Sequence, residues 1–186
     1  MNIVQPIRDL EKLEELKEEL KKKGTRDYML FLTGLNSGMR VSDVVKLNRE
    51  DVRDENGNMR THITIIEKKT KKIKKFPLCN NLLVEMEKYT RNMPQGEFLF
   101  KSRNGENKPI TTTQAYRIIV EAATNIGIKN IGTHSMRKTF GYHHYQRYKD
   151  IAILQEILNH SSPSITLRYI GISQDEIDIS YQTFSL

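Results

Sequence analysis

Tyr169 closes the stretch His160-Ser-Ser-Pro-Ser-Ile-Thr-Leu-Arg-Tyr169, and His134-Ser-Met-Arg137 lies upstream of it. A third fragment, Gly38-Met-Arg40, stands far earlier in the chain. Together they supply two guanidiniums, two imidazoles and a phenol. That set meets the needs of metal-free attack on a phosphodiester. Arginine is planar, permanently charged and bidentate, so two of them can hold the non-bridging oxygens of a phosphate. Charge grows on those oxygens in the transition state, where fixed donors stabilise it most. Imidazoles titrate near neutrality and suit proton transfer. The phenol, with a free pKa of about 10, is a weak nucleophile that needs a base or a nearby cation. Taken singly, each residue has a plainer use: a packed aromatic, a surface ion pair, a core histidine. The combination and its order carry the reading.

These residues need rigid elements to hold them. Leu10, Leu13, Leu16 and Leu20 recur at helical spacing, with Asp9 as a cap and Gly24 as a stop after Lys21-Lys22-Lys23. A second helix runs through Tyr28, Met29, Phe31, Leu32 and Leu35 and stops near Ser37-Gly38. A short third begins near Ser42, holds Val44, Val45 and Leu47, and ends at Asn48. Arg40 therefore falls at a glycine-bounded junction between helices. The period then changes. Thr61 to Glu67 and Ile73 to Leu78 read as extended runs forming a hairpin, and the turn Asp54–Asn58 leads into it from a first strand. Beyond Asn80 the pattern is helical: Leu82–Arg91, Thr111–Ile126, His134–Tyr148 and Ile151–Leu158. Asn159 suits the left-handed residue that ends a helix. Ser162-Pro163 is a start signal, placing Thr166 and Tyr169 on one helical face. Asp175 to Leu186 forms a short helix or tail with Ile177, Ile179, Tyr181 and Phe184. The fold class is α+β, mostly α-helical, with a small antiparallel sheet in the N-terminal half.

The 186 residues suggest one domain, residues 1–186, with no linker dividing it. No apolar run approaches a membrane span or signal peptide, so the expectation is a soluble cytoplasmic protein with no membrane partner. The single Cys79 excludes an internal disulfide and a multi-cysteine zinc site, and is expected to be buried or inert. His143-His144 lacks a His-Glu-x-x-His context and carboxylates at ligand spacing, so no metal and no cofactor are expected. The net charge of +7 suggests a polyanionic partner. Lys68, Lys69, Lys71, Lys72, Lys74 and Lys75 crowd the hairpin. That cluster is either a solvated tip or a finger approaching a phosphate backbone.

Gly38-Met-Arg40-Val-Ser-Asp43, Lys69, His134-x-x-Arg137, Leu158-Asn-His160 and Tyr169 resemble the catalytic domain of tyrosine recombinases, the phage integrase and Xer group. The resemblance runs from about Gln5 to Gly171. It implies that Tyr169 attacks the scissile phosphate of double-stranded DNA and forms a 3′-phosphotyrosyl link, releasing a 5′-hydroxyl. It makes Arg40 and Arg137 the phosphate clamp and ties His134 to proton handling. His160 becomes a phosphate hydrogen-bonding group, and Asp43 an orienting partner. Asn159 stands where family members usually have glycine. Lys69 is the choice for the general acid, with Lys68, Lys71 and Lys72 as DNA contacts, although the assignment among these lysines is open. The resemblance also implies a tetrameric synapse on DNA, with the tail 173–186 docking on its own domain or on a neighbour. Larger members carry an upstream core-binding domain that is not seen here, so the chain is either naturally short or a fragment. Two alternatives stand beside this reading. Leu35-Asn-Ser-Gly38 between helices could belong to a helix-turn-helix regulator without catalysis. A type IB topoisomerase would share the chemistry.

Overall fold

The computed structural model describes residues 4–66, 73–172 and 174–185. Helix α1 (Leu10–Lys23) starts where the Asp9 carboxylate accepts from the backbone N–H of Glu11 and Lys12, at 2.8 and 3.3 Å. Leu13, Leu16 and Leu20 are buried, while Leu10 at the helix start is exposed. Helix α2 (Thr25–Ser37) lies at the centre and packs against α1, α5 (Asn80–Thr90) and α7 (Thr133–Tyr148). It buries residues all round, which suits a helix enclosed by others. Gly38, with φ of 62°, ends it and turns the chain towards the four-residue α3 (Val41–Val44). Asn48 was expected to close that region but instead opens another helix, α4 (Arg49–Val52). Its side chain accepts from Asp51 N–H while the Asp51 carboxylate accepts from Asn48 N–H. The helix-turn-helix alternative fits poorly, because α2 is enclosed and α3 is too short to lie in a groove.

Strands β1 (His62–Ile66) and β2 (Ile73–Pro77) pair antiparallel, with Ile63 opposite Phe76 and both buried. The turn Asp54–Asn58 forms as expected, with Asn58 N–H donating to the Asp54 carboxylate at 2.7 Å. The first strand expected before it does not form. A single bridge between Arg53 and Met59 stands there instead. The Arg53 guanidinium is committed sideways, to Thr90 Oγ1 and to the carbonyls of Gly57 and Glu87. The hairpin tip carrying Lys68, Lys69, Lys71 and Lys72 lies outside the described residues.

The C-terminal half is helical. Thr111 and Gln114 cap α6 (Thr112–Asn125) reciprocally. After α7 come α8 (Ile151–Leu158), ended by left-handed Asn159, and α9 (Pro163–Ile170), capped by Ser162 and ended by Gly171. Helix α10 (Gln174–Thr183) follows. Most buried side chains form one large cluster spanning α1 to α7. A smaller cluster of Leu154, Leu158 and Ile170 lies between α7, α8 and α9. Helix α7 borders both at close range. A Cβ on Gly141 would stand 2.7 Å from Ile170 Cγ2, so only glycine lets α9 approach this closely. Cys79 corrects its expectation: it precedes α5 on an extended backbone and is exposed. Among the described residues, no helix is long and apolar enough to cross a membrane.

Candidate active site

Arg137 organises the site. It sits in the second turn of α7 and is only 4 % exposed. Its Nη1 donates to the Gly38 carbonyl at 2.6 Å, and its Nη2 to the Leu158 carbonyl at 2.5 Å. One guanidinium thus ties the α2–α3 junction to the end of α8. A cation at that helix end also faces the negative pole of the α8 dipole. Arg40 follows two residues after the bonded Gly38 carbonyl, on extended backbone at the start of α3. His160 follows two residues after the bonded Leu158 carbonyl. Arg137 therefore fixes the segments carrying two other site residues.

His160 lies beside α9. Its Nδ1 is 3.1 Å from Thr166 Oγ1, which is also 3.2 Å from the Ser162 carbonyl. This contact occupies one ring nitrogen and leaves Nε2 as the nitrogen for a substrate. Tyr169, one turn beyond Thr166, sets its ring edge-on to His160, with centroids 4.9 Å apart at 71°. Lys138 Nζ lies 5.3 Å from the Tyr169 ring centre. His134 is one turn before Lys138 on α7 and keeps access to solvent.

The electrostatics are consistent across the cluster. Burial pushes the Tyr169 phenol above its ordinary pKa, opposed by the charge of Arg137, a hydrogen bond from Arg137 and the charge of Arg40. Tyr169 is therefore a neutral phenol near pH 7. Burial lowers His134, helped by Lys138, Arg137 and Arg40. Burial likewise lowers His160, helped by Arg137, Arg40 and Lys74. Both are neutral imidazoles near pH 7, set among fixed cations. Such a place favours an anion and holds groups able to take or give a proton beside it.

The model of the phage integrase family matches residues 8–176. The chain belongs to that family. It is 52% identical over 184 residues to the "Probable integrase/recombinase YoeC" of Bacillus subtilis (strain 168), covering 99% of this chain and 98% of that protein. It is 31% identical over 165 residues to the tyrosine recombinase XerA of Pyrococcus furiosus, covering 88% of this chain but 56% of that one. The chain thus spans about half the length of the Xer relatives. Among solved structures, a crystal structure of XerA recombinase superposes with a TM-score of 0.75 at 20% identity, covering 98% of this chain and 64% of that one. The XerH recombinase bound to a palindromic difH substrate, a post-cleavage complex, gives 0.69 at 23% identity, covering 92% and 50%. These likenesses show the fold of the integrase-family catalytic domain.

The fold brings Arg40, His134, Arg137, His160 and Tyr169 to one place, from three separate stretches of sequence. Lys69, Lys68, Lys71 and Lys72 fall outside the described residues. His143 and His144 lie away from the site. His143 Nε2 meets the Ile7 carbonyl at 2.9 Å, and His144 sits between Phe140 and Tyr148. Among the described residues no group of three or more His, Cys, Asp or Glu is arranged to hold a metal. Three neighbours escaped sequence reasoning. Lys138 stands four residues after His134, a helical spacing that could have flagged it. Thr166 was placed on the face of Tyr169 but not paired with His160. Lys74 Nζ donates to the Ile157 carbonyl at 2.7 Å, joining β2 to α8 beside the site. Its alternation with Phe76 along the strand was the available signal.

Proposed function

We propose that this integrase-family chain cleaves and rejoins strands of double-stranded DNA through a 3′-phosphotyrosyl intermediate. The observation that carries the proposal is the placement of the neutral Tyr169 phenol beside the buried, carbonyl-anchored Arg137, with Arg40, His134 and His160 around it. Tyr169 Oη attacks the scissile phosphorus, and the phosphorus–O5′ bond breaks. The phenol proton passes to His134, which is neutral and able to accept it. Arg40 and the remaining N–H donors of Arg137 hold the non-bridging oxygens as their charge grows. Thr166 Oγ1 donates to the Ser162 carbonyl and so accepts from His160 Nδ1–H, which leaves Nε2 facing the phosphate, where it donates once the ring takes up a proton. Lys69 supplies the proton to the departing O5′. The link stores the bond, so attack by another 5′-hydroxyl reverses every step onto a new strand. This exchange is what distinguishes recombination from strand relaxation. The chain is read as one catalytic domain acting in the cytoplasm, where its DNA partner lies. Its affinity depends steeply on salt, as for any basic surface that displaces counterions.

Assembly belongs to the same proposal. Ile179, Tyr181 and Phe184 are 56 %, 81 % and 70 % exposed. Three uncovered apolar side chains on one terminal segment favour docking on a neighbouring copy over packing at home. Four copies on two duplexes are the expected active assembly.

The test is a nicked duplex from which the cleaved fragment diffuses away, resolved on a denaturing gel. A covalent protein–DNA band is expected for the wild type. Tyr169→Phe should give none, while DNA affinity stays within a few-fold, because only the nucleophilic oxygen is removed. An adduct formed by the Phe variant would remove Tyr169 from its role and make Tyr181 the candidate.

A further inference from the structure

The segment before α1 makes an unusual set of long-range bonds. Gln5 N–H donates to the Asn130 carbonyl at 2.9 Å, and the Gln5 carbonyl accepts from Ser135 Oγ at 2.9 Å. Ile7 N–H donates to Thr139 Oγ1, and the Ile7 carbonyl faces His143 Nε2, both at 2.9 Å. Residues 4–8 therefore lie along α7, bonded to it on successive turns. Two further contacts reach towards the nucleophile, one through Lys138 of α7 and one from Arg8 to the end of α9. The Val4 carbonyl accepts from Lys138 Nζ at 2.8 Å, and that same ammonium lies 5.3 Å from the Tyr169 ring centre. Arg8 Nη2 donates to the Gly171 carbonyl at 2.5 Å, two residues after Tyr169, and its guanidinium lies 5.2 Å from the Tyr142 ring centre.

The chemistry of each contact suits holding rather than reacting. Gly171 closes α9 in the left-handed conformation, so its carbonyl stands at the negative end of that helix. A guanidinium there satisfies a carbonyl that the helix leaves unbonded and opposes the dipole. Lys138 spends its hydrogen bond on Val4, which keeps its charge against the ring face instead of on solvent. Burial lowers the Lys138 pKa, the cost of drawing an ammonium partly out of water. Helix α9 rests on the small cluster of Leu154, Leu158 and Ile170, bordered by half-buried Phe140, Tyr142 and Tyr145 of α7. Arg8 of the segment, and Lys138 of α7 held by the segment's Val4 carbonyl, add to what locates it.

We infer that residues 4–8 act as a strap that positions the nucleophile, with Arg8 and Lys138 as positioning residues for Tyr169. The inference rests on the proposed cleavage reaction and adds to it. A reacting atom displaced by about 1 Å loses on the order of a hundredfold in rate, so loosening one tether should be visible in the chemical step.

The experiment measures single-turnover adduct formation on the nicked duplex across DNA concentration, with melting temperature recorded alongside. Arg8→Ala should slow the rate at saturating DNA by on the order of tenfold or more, while the apparent DNA affinity changes little. Arg8→Lys, which keeps a cation within reach of the carbonyl, should recover most of that rate. Lys138→Met keeps the stem, loses the ammonium, and should likewise reduce the saturated rate. It serves as the second measurement if Arg8→Ala folds poorly. Saturated rates equal to the wild type for Arg8→Ala and Lys138→Met would overturn the strap. So would a loss confined to affinity, or an Arg8→Lys variant no faster than Arg8→Ala. A wild type that forms no adduct would instead sink the proposed function, so the two failures are distinguishable.

Discussion

Arg137 should be the site residue whose loss damages the fold as well as the reaction. Its guanidinium is buried and bonded to the carbonyls of Gly38 and Leu158, which stand at the ends of α2 and α8. A hydrogen bond to a charged donor contributes about 1.5–3 kcal/mol, and stranding a buried acceptor costs about 1–3 kcal/mol. Arg137→Ala removes both bonds and strands both carbonyls, so a loss of about 3–5 kcal/mol is expected after partial relaxation. For a chain of this size each kcal/mol moves the melting temperature by about 2–4 °C, giving a drop of about 6–20 °C. Arg137→Lys keeps the charge but not the fork, serves one carbonyl at a time, and should lose about half as much. Arg40→Ala is the control. Arg40 is half-buried at the start of α3, and its removal should slow cleavage by on the order of 10², or about 3 kcal/mol of transition-state stabilisation, with much less thermal effect. Calorimetry or circular dichroism melting, paired with adduct formation on the nicked duplex, reads both quantities. An Arg137→Ala variant melting within about 2 °C of the wild type would refute the anchoring argument. One that also cleaved normally would remove Arg137 from the site.

Further outcomes follow from the same geometry. Lys69→Ala should be rescued by a substrate whose 5′-bridging oxygen is sulfur, because a thiolate leaves without a proton donor; rescue of Lys71→Ala or Lys72→Ala instead would move the general acid along the hairpin. His134 and His160 have folded pKa values below their ordinary 6.5, so the unfolded chain binds more protons as pH falls past that value. Their stabilising contribution should be complete above about pH 6.5 and be lost as pH falls through the lower folded values. The acid slope of melting temperature should flatten in the double variant His134→Gln, His160→Gln, and an unchanged slope would contradict it. Deleting residues from Asp175 onward should impair recombination more than single-strand cleavage, and sedimentation with a target duplex should show less assembly. Equal assembly by the full and shortened chains would remove docking of the tail on a neighbour.

Local chemistry was readable and long-range commitment was not. Asp9, Gly24, Thr111, Asn159 and Ser162-Pro163 mark helix ends through bonds within a few residues of themselves, so sequence reasoning reaches them. The grouping of Arg40, His134, Arg137, His160 and Tyr169 was likewise legible, because residue type and order restrict it. Asn48 misled because the residue that follows one helix can cap the next, and its partner Asp51 was the signal to use. The turn at Asp54–Asn58 formed without its expected strand because Arg53 bonds outward to Thr90 and Glu87, which no local pattern reveals. Cys79 follows buried Leu78 yet points outward, an orientation set by the start of α5. The bonds of residues 4–8 to α7 join positions more than a hundred residues apart and pair backbone groups of the segment with side chains of α7, so nothing in the segment's own residue types announces them.

The division of the interior into a large and a small hydrophobic cluster has a consequence for the resting state. Arg40 is built onto the large cluster, whereas Tyr169 stands on α9 over the small one. Proteins open in parts, and the part with the least buried surface opens most readily. The least costly excursion of this chain therefore lifts α9 and α8 away while the rest remains folded. It withdraws the nucleophile and, through the Leu158 carbonyl, releases one hand of Arg137. A phosphodiester held by Arg40, Arg137 and His160 binds the closed form and not the open one, so it draws the equilibrium shut. On the proposed function, substrate binding and completion of the reactive centre are then a single equilibrium, and a chain away from DNA carries its proposed nucleophile partly disarmed.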